Sequence, residues 1–314
     1  MPTGNGEAWG VFRRDLGIAC SDDRFAAQWF LTANRGGTHW GACGFCRVVK
    51  RGGRYELVVH EWGYGLFMSL NALHRSHDLA LVTAVSRLDV FEQRLMASPC
   101  VQPGGLPVMA YFNCTSAAHA FNAAMDSQPA SRWLVWLHQD VFLPLGWDAR
   151  FAQAIEEAQS KFHQLSVVGV YGVRGEGTHA LRAGHVLDRG VELTEPAALP
   201  CEVDSLDELL FAVRVDSGLR LDPDLGFDFY ATDLVLSAQS KGQSCVVVDA
   251  FCEHWSDTPA SGAVPASTLS RIAASACVFE AKWQSRLPLT TPCFDIRQIG
   301  DVAQFMNAHF VATP

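Results

Sequence analysis

The 314-residue chain contains no run of about 18 or more apolar residues, so no bilayer-spanning helix is expected from it. Its opening, "MPTGNGEAWG", has no basic segment followed by an apolar stretch, and no secretory leader is expected there. Positive charge is scarce: 24 Lys and Arg stand against 33 Asp and Glu, a net charge of −9. That shortage argues against nucleic acid or an anionic membrane as partner, because both call for a basic face. If the ligand is anionic, something more local than bulk charge must attract it. A glycine-rich phosphate loop is also missing. "GVRGEG" is too loose for one, and "AVSRLDVFEQ" lacks the glycines. Only one Cys-x-x-Cys occurs, Cys43 and Cys46 in "GACGFC", half of what a four-thiolate zinc site needs. His39 and His60 are conceivable completions, but two thiols in a hairpin is the simpler reading.

What is present is a globular composition, 49% hydrophobic and 18% charged, with no repeat and no low-complexity tract. The length suffices for one large or two ordinary domains. Many of the ten cysteines sit in apolar strand-like runs, as Cys245 does in "SCVVVDAFC". Free thiols in a reducing cytoplasm are therefore expected.

Residues 1–77 differ in texture from the rest and read as an N-terminal extension. Within it, "CGFCRVVKRGGRYELVVHEW" predicts two strands around a glycine turn. From residue 78 strands alternate with helices: strands at 79–86, 106–113, 132–138 and 165–172, helices at 88–97, 116–126 and 149–162. This predicts an α/β fold, a doubly wound and mostly parallel sheet covered by helices on both faces. The stretch 179–193 reads as loop and short strand, and helices are expected from about Thr232 and over 268–285. The main domain would run over 78–290, with 291–314 a C-terminal tail.

In such sheets ligands bind beyond the carboxyl ends of the strands. Asn113 and the trio His138, Gln139, Asp140 fall at that edge, and the trio interrupts the apolar run "WLVWLHQDVFLPLGW". A carboxylate at the mouth of a core strand is costly unless paired. Asp233 in "GFDFYATDLVLSA" sits in the first turn of a helix, and His254 in "EHWS" follows a strand. Taken singly, each has a plainer reading: Asp140 as a turn or cap residue, Asp233 as an acid favoured at a helix start, His254 as a hydrogen-bonded structural histidine. Together they offer a carboxylate and an imidazole as metal ligands, plus a second carboxylate as base.

The order "LVWLHQDVFLPLGW", "VDSLDELLFAVR", "GLRLDPDLGFDFYATDLVLSA", "CEHWS" and "EAKWQSRLP" resembles glycosyltransferases of the GT-A fold in the family 2-like group. The closest resemblance is to members carrying His-Gln-Asp in place of Asp-x-Asp. It covers roughly residues 78–290. It implies a nucleotide-sugar donor held by a divalent cation, and a carbohydrate or other hydroxyl-bearing acceptor. Asp140 then matches a metal contact, His254 a late histidine ligand, and Asp233 the catalytic base. His138 stands where the first Asp would be. Asn113 replaces an Asp that contacts the nucleotide, Asn122 matches an Asn on the following helix, and Ser86 and Arg87 lie where the base stacks. Asp207 and Glu208 fall on the acceptor side, and Trp255 and Trp283 are aromatic platforms for a sugar ring.

The chemistry is consistent with that resemblance. A departing nucleoside diphosphate builds negative charge that an acidic protein cannot stabilise by bulk potential, whereas a bound Mn²⁺ or Mg²⁺ can. An Asp plus His ligand set slightly favours Mn²⁺. A single carboxylate base opposite the leaving group would give inversion, with general-base help of about 10²–10⁴ in rate. Two alternatives stay open: a sugar nucleotidyltransferase, and a non-catalytic relic that binds nucleotide or glycan.

Overall fold

The computed structural model describes residues 78–102, 104–256 and 263–313, together with the backbone of three strands nearer the N-terminus. Those three are β1 (Gln28–Thr32), β2 (Gly44–Arg51) and β3 (Arg54–Glu61). The hairpin expected around the Gly52-Gly53 turn is β2–β3, antiparallel from Gly44↔Glu61 to Arg51↔Arg54. The cysteine pair Cys43 and Cys46, read as hairpin thiols, lies outside the described side chains.

The α/β reading holds. The main sheet contains β4 (Leu79–Val85), β5 (Val108–Phe112), β6 (Trp133–Leu137), β8 (Leu165–Gly169), β14 (Leu210–Arg214), β12 (Cys201–Glu202) and β15 (Ser244–Val247). Its order is β12-β15-β8-β14-β6-β4-β5-β1-β2-β3. Strands β6, β4, β5 and β1 run parallel, and so do β8 and β15. Between these groups β14 runs antiparallel to both neighbours. Its N-terminal end therefore lies at the edge where β4, β5 and β6 terminate.

Every residue of β6 is buried, because alternate side chains feed two cores. Trp133, Val135 and Leu137 join one, and Leu134 and Trp136 the other. Each such large apolar side chain is worth about 1.5–3 kcal/mol on burial. On the first face lies helix α3 (Trp147–Lys161), through Trp147, Phe151, Ile155 and Ala158. It starts after Gly146, which sits at φ 75°, a conformation that glycine adopts without strain. The other face takes α2 (Ala117–Asp126), capped by Ser116, and α4 (Tyr230–Ser240). A shorter helix, α1 (Leu88–Gln93), follows β4.

A second sheet departs from the sequence reading. The stretch expected to be mostly loop forms a hairpin, β10 (Leu181–Asp188) with β11 (Val191–Thr194). The residues expected as one strand over 165–172 divide at Val170, so that β9 (Tyr171–Arg174) joins this sheet. Its order is β13-β9-β10-β16-β7, where β7 is Val141–Phe142, β13 is Ser205–Leu206 and β16 is Glu253–His254. At the C-terminal end α5 (Ala266–Lys282) and α6 (Asp301–His309) share a third core of Phe229, Phe279, Ile296 and Met306. The segment expected as a tail thus contributes buried side chains.

Candidate metal centre

The His138–Asp140 trio is a turn at the end of β6, closed by Val141 N donating to His138 O at 3.2 Å. His138 N donates to Leu209 O at 3.0 Å, tying the turn to the start of β14. Gln139, which sequence reading left without a role, locks this edge together. Its Oε1 accepts from the backbone N of Ser86 (3.0 Å) and Arg87 (2.9 Å), and its Nε2 donates to Ser86 Oγ at 2.9 Å. The ends of β4 and β6 are fixed to each other through one side chain.

The short strands of the second sheet bring the remaining groups to Asp140. Pairing of β16 with β7 sets His254 opposite Val141, and Trp255 N donates to Asp140 O at 3.1 Å. Pairing of β16 with β10 sets Asp188 beside His254. One ligand atom from each of His138, Asp140 and His254 then lies within 4.8 Å of the others. His254 Nε2 is 3.4 Å from Asp140 Oδ1 and 3.3 Å from His138 Nδ1. His138, expected from the resemblance in the place of the first Asp, thus offers a ligand atom beside those of Asp140 and His254.

The outer nitrogens of both histidines are held. His254 Nδ1 donates to Asp188 Oδ1 at 2.8 Å, and His138 Nε2 lies 2.9 Å from Tyr230 Oη. Tyr230 Oη also accepts from Trp136 Nε1 (3.1 Å) and donates to Glu208 O (3.3 Å). Where Tyr230 gives its one proton to that carbonyl it accepts from His138 Nε2, and that tautomer leaves Nδ1 bare. Both imidazoles therefore present a lone pair, or an exchangeable proton, to the centre. Oriented outer partners of this kind are what metal-ligating histidines have. Phe229, immediately before Tyr230, adopts φ 65°, unusual for a bulky residue and the kind of local strain found at functional sites.

The charges agree with a cation seat. Burial opposes a charge on His254, but its hydrogen bonds to Asp140 and Asp188 outweigh burial and raise its pKa to about 10. Burial, then the neighbouring His254 charge, pushes His138 down to about 4. Asp140 and Asp188 lie below the usual carboxylate range: burial pushes each upward, and hydrogen bonds from His254 more than compensate. Without metal the site therefore holds two carboxylates and one imidazolium. A divalent ion that displaced the Nε2 proton would leave two carboxylates facing a charge of two.

Asp207 and Glu208 flank this centre through Leu209, and Glu208 Oε1 is buried without a hydrogen-bond partner among the described residues. Burial raises both carboxyls, Glu208 well above its usual value, with Asp228 next in effect there. Asn113 ends β5, exposed and left-handed at φ 55°. Ser86 and Arg87 are joined to the centre through Gln139, and the Arg87 guanidinium pairs with Asp89 at 2.7 Å.

Other expected residues are used differently. Asn122 donates to Leu221 O (2.8 Å) and accepts from Leu221 N (3.0 Å), so its amide ties α2 to a loop. Asp233 is 1% exposed, ion-paired with Lys282 at 2.7 Å and bonded by Trp283 Nε1 at 2.8 Å. Its carboxylate, expected as the base, anchors α5 to α4. Trp283 is the other half of that anchor. Trp255 bonds Glu253, and the Arg94 guanidinium sits 4.5 Å from its ring centroid, covering one face. Sequence reading missed Asp188 and Tyr230. Asp188 stands 66 residues before His254, in a stretch without strong strand periodicity.

No protein-family model matches the chain. A curated protein of Fuscovulum blasticum, "ATP synthase subunits region ORF 6", is 30% identical over 133 residues, 40% of this chain. The chain spans about half of that relative's length (51%). A mannosyltransferase from Pyrobaculum calidifontis, solved with GDP-Man and Mn²⁺, is similar over 74% of this chain and 69% of its own, at 10% identity and a TM-score of 0.41. GalNAc-T7 with UDP, GalNAc and Mn²⁺ is similar over 74% of this chain and 54% of its own, at 10% identity and a TM-score of 0.40. The inositol-1-phosphate CTP transferase of T. maritima covers 64% of this chain and 97% of its own, at 11% identity and a TM-score of 0.28. Among the described residues no helix is long and apolar enough to cross a membrane.

Proposed function

We propose that this chain is a glycosyltransferase that moves a sugar from a nucleoside diphosphate to an acceptor hydroxyl, with Mn²⁺ or Mg²⁺ bound at His138, Asp140 and His254. The observation that carries it is the convergence of these three ligand atoms, each histidine held from behind, at the carboxyl edge of an α/β sheet. The bound cation would offset the charge that develops on the diphosphate as the glycosidic bond breaks. The five ordered motifs of the resemblance support this substrate class over others that share a metal.

In this proposal the edge formed by Ser86, Arg87 and Asn113 receives the nucleoside, with Gln139 fixing its shape. The acceptor lies over Asp207 and Glu208. Asp233 Oδ1 accepts from both Lys282 and Trp283, which ties its carboxylate to the end of α5; we assign the base instead to Glu208, whose Oε1 has no partner among the described residues. The acceptor oxygen loses its proton to Glu208 as it attacks, and the anomeric carbon–oxygen bond gives its electron pair to the diphosphate. A single base opposite the leaving group makes the reaction inverting. Residues 1–77 are proposed as an extension of the 78–290 domain.

The test is calorimetry of UDP and GDP sugars with and without Mn²⁺, followed by release of nucleoside diphosphate. Metal-dependent binding with turnover lost in Glu208→Gln is expected. Asp233's capture favours one second reading, a nucleotide-binding relic, which metal-dependent binding without turnover would establish. Absence of any metal-dependent nucleotide binding would refute both.

A further inference from the structure

Asp140 and Asp188 hold His254, Asp207 and Glu208 precede the Leu209 that bonds His138, and Asp228 lies two residues before Tyr230, so a diphosphate entering this centre would meet mostly acid, in a chain of net charge −9. One or more basic groups must face the ligand, and most nearby guanidinium groups are engaged. Arg189 closes on Asp188 through Nε (3.0 Å) and a terminal nitrogen (3.0 Å). Arg94 lies over the Trp255 ring, and Arg182 reaches the carbonyl of Pro292.

Arg271 differs. It stands in the second turn of α5, and one terminal nitrogen takes both its contacts, Phe227 O at 3.2 Å and Asp228 Oδ2 at 3.0 Å. Its Nε and second terminal nitrogen have no partner among the described residues, and the side chain is 42% exposed. Asp228, only 14% exposed and also within reach of Ser275 Oγ (3.3 Å), holds the guanidinium from one end. Two residues on from Asp228 is Tyr230, which bonds His138. Asp228 thus ties the guanidinium to the turn that leads into α4 and its first residue, Tyr230. A planar guanidinium anchored at one corner, with a donor edge open, matches two phosphate oxygens better than an ammonium does.

Resting on the function proposed above, we infer that Arg271 is the residue that grips the donor's diphosphate, with Asp228 as its positioning partner. As the anomeric carbon–oxygen bond breaks, its electron pair passes to a phosphate oxygen, and the free donor edge of Arg271 takes up part of that charge.

The experiment measures binding without turnover. Wild type, Arg271→Lys and Arg271→Gln are titrated with Mn²⁺ alone, then with UDP, GDP and inorganic pyrophosphate in the presence of Mn²⁺, with thermal melts to verify folding. Arg271→Gln is expected to lose about 10–100-fold in affinity for all three phosphates, and Arg271→Lys less, since a lysine keeps charge but not the fork. Mn²⁺ alone should bind as in wild type. If Arg271→Gln binds UDP, GDP and pyrophosphate as wild type does, this inference is wrong and the proposed function survives. If wild type itself binds Mn²⁺ but no nucleoside diphosphate, the proposed function fails and this inference falls with it.

Discussion

At the scale of single residues, Tyr230 carries more than its chemistry suggests. Its hydroxyl makes three contacts at once, with Trp136 Nε1, His138 Nε2 and Glu208 O, and so holds the His138 ring from behind. Tyr230→Phe removes one oxygen and leaves two buried N–H donors unpaired. The stability cost should be about 1–3 kcal/mol. More telling is the metal: freed of its outer partner, His138 can rotate or take the other tautomer, and Mn²⁺ affinity should fall about 10–100-fold. Asp188→Asn should act similarly on His254. Titration of Mn²⁺ by calorimetry measures both. Wild-type affinity in Tyr230→Phe would mean that His138 is not a ligand, reducing the centre to Asp140 and His254.

At the scale of elements, the centre is made by pieces too short to announce themselves. Strand β6 was legible because Trp133–Leu137 is an uninterrupted apolar run, and α2, α3 and the β2–β3 hairpin followed from periodicity and glycine placement. Two-residue strands such as β7 and β16 leave no pattern in sequence, yet their pairing sets His254 and Asp188 beside Asp140. The ligand types were therefore visible and their outer partner Asp188 was not. The surroundings of Asp233 were hidden for a related reason. A carboxylate in the first turn of a helix reads alike whether it faces a substrate or a neighbouring helix, and only α5 decides. Here Lys282 and Trp283 decide it. Trp283→Phe keeps most of the ring volume but deletes one charge-assisted bond to a carboxylate that is 1% exposed. It should cost about 2 kcal/mol in urea unfolding and leave Mn²⁺ affinity unchanged. A stable variant that lost sugar or nucleotide binding would instead restore Trp283 to the ligand site.

At the scale of the whole molecule, the net charge of −9 and the half-buried acidic centre act in the same direction on a cation. Their effect on stability depends on pH in two opposed ways. His138 has a folded pKa of about 4 against an ordinary 6.5, so between these values the unfolded chain binds a proton that the folded one refuses. Stability falls there as pH falls. His254 has a folded pKa of about 10 against 6.5, so the folded chain holds the extra proton, and the stabilisation present below 6.5 is lost as pH rises toward 10. For these two groups together, metal-free protein should be most stable near 6.5 and lose melting temperature on both sides. At the proposed site, binding of Mn²⁺ would reverse the alkaline side. The ion must displace the His254 proton, so its apparent affinity should rise by roughly tenfold per pH unit below the folded pKa. At a fixed, limiting Mn²⁺ concentration the melting temperature gained over chelator-treated protein should therefore grow between pH of about 6.5 and about 8.5, by mass action. Paired thermal melts in chelator and in Mn²⁺ across that range read this directly. Two curves that stay parallel would mean that the ion does not compete with the His254 proton, and that His254 lies outside the coordination sphere.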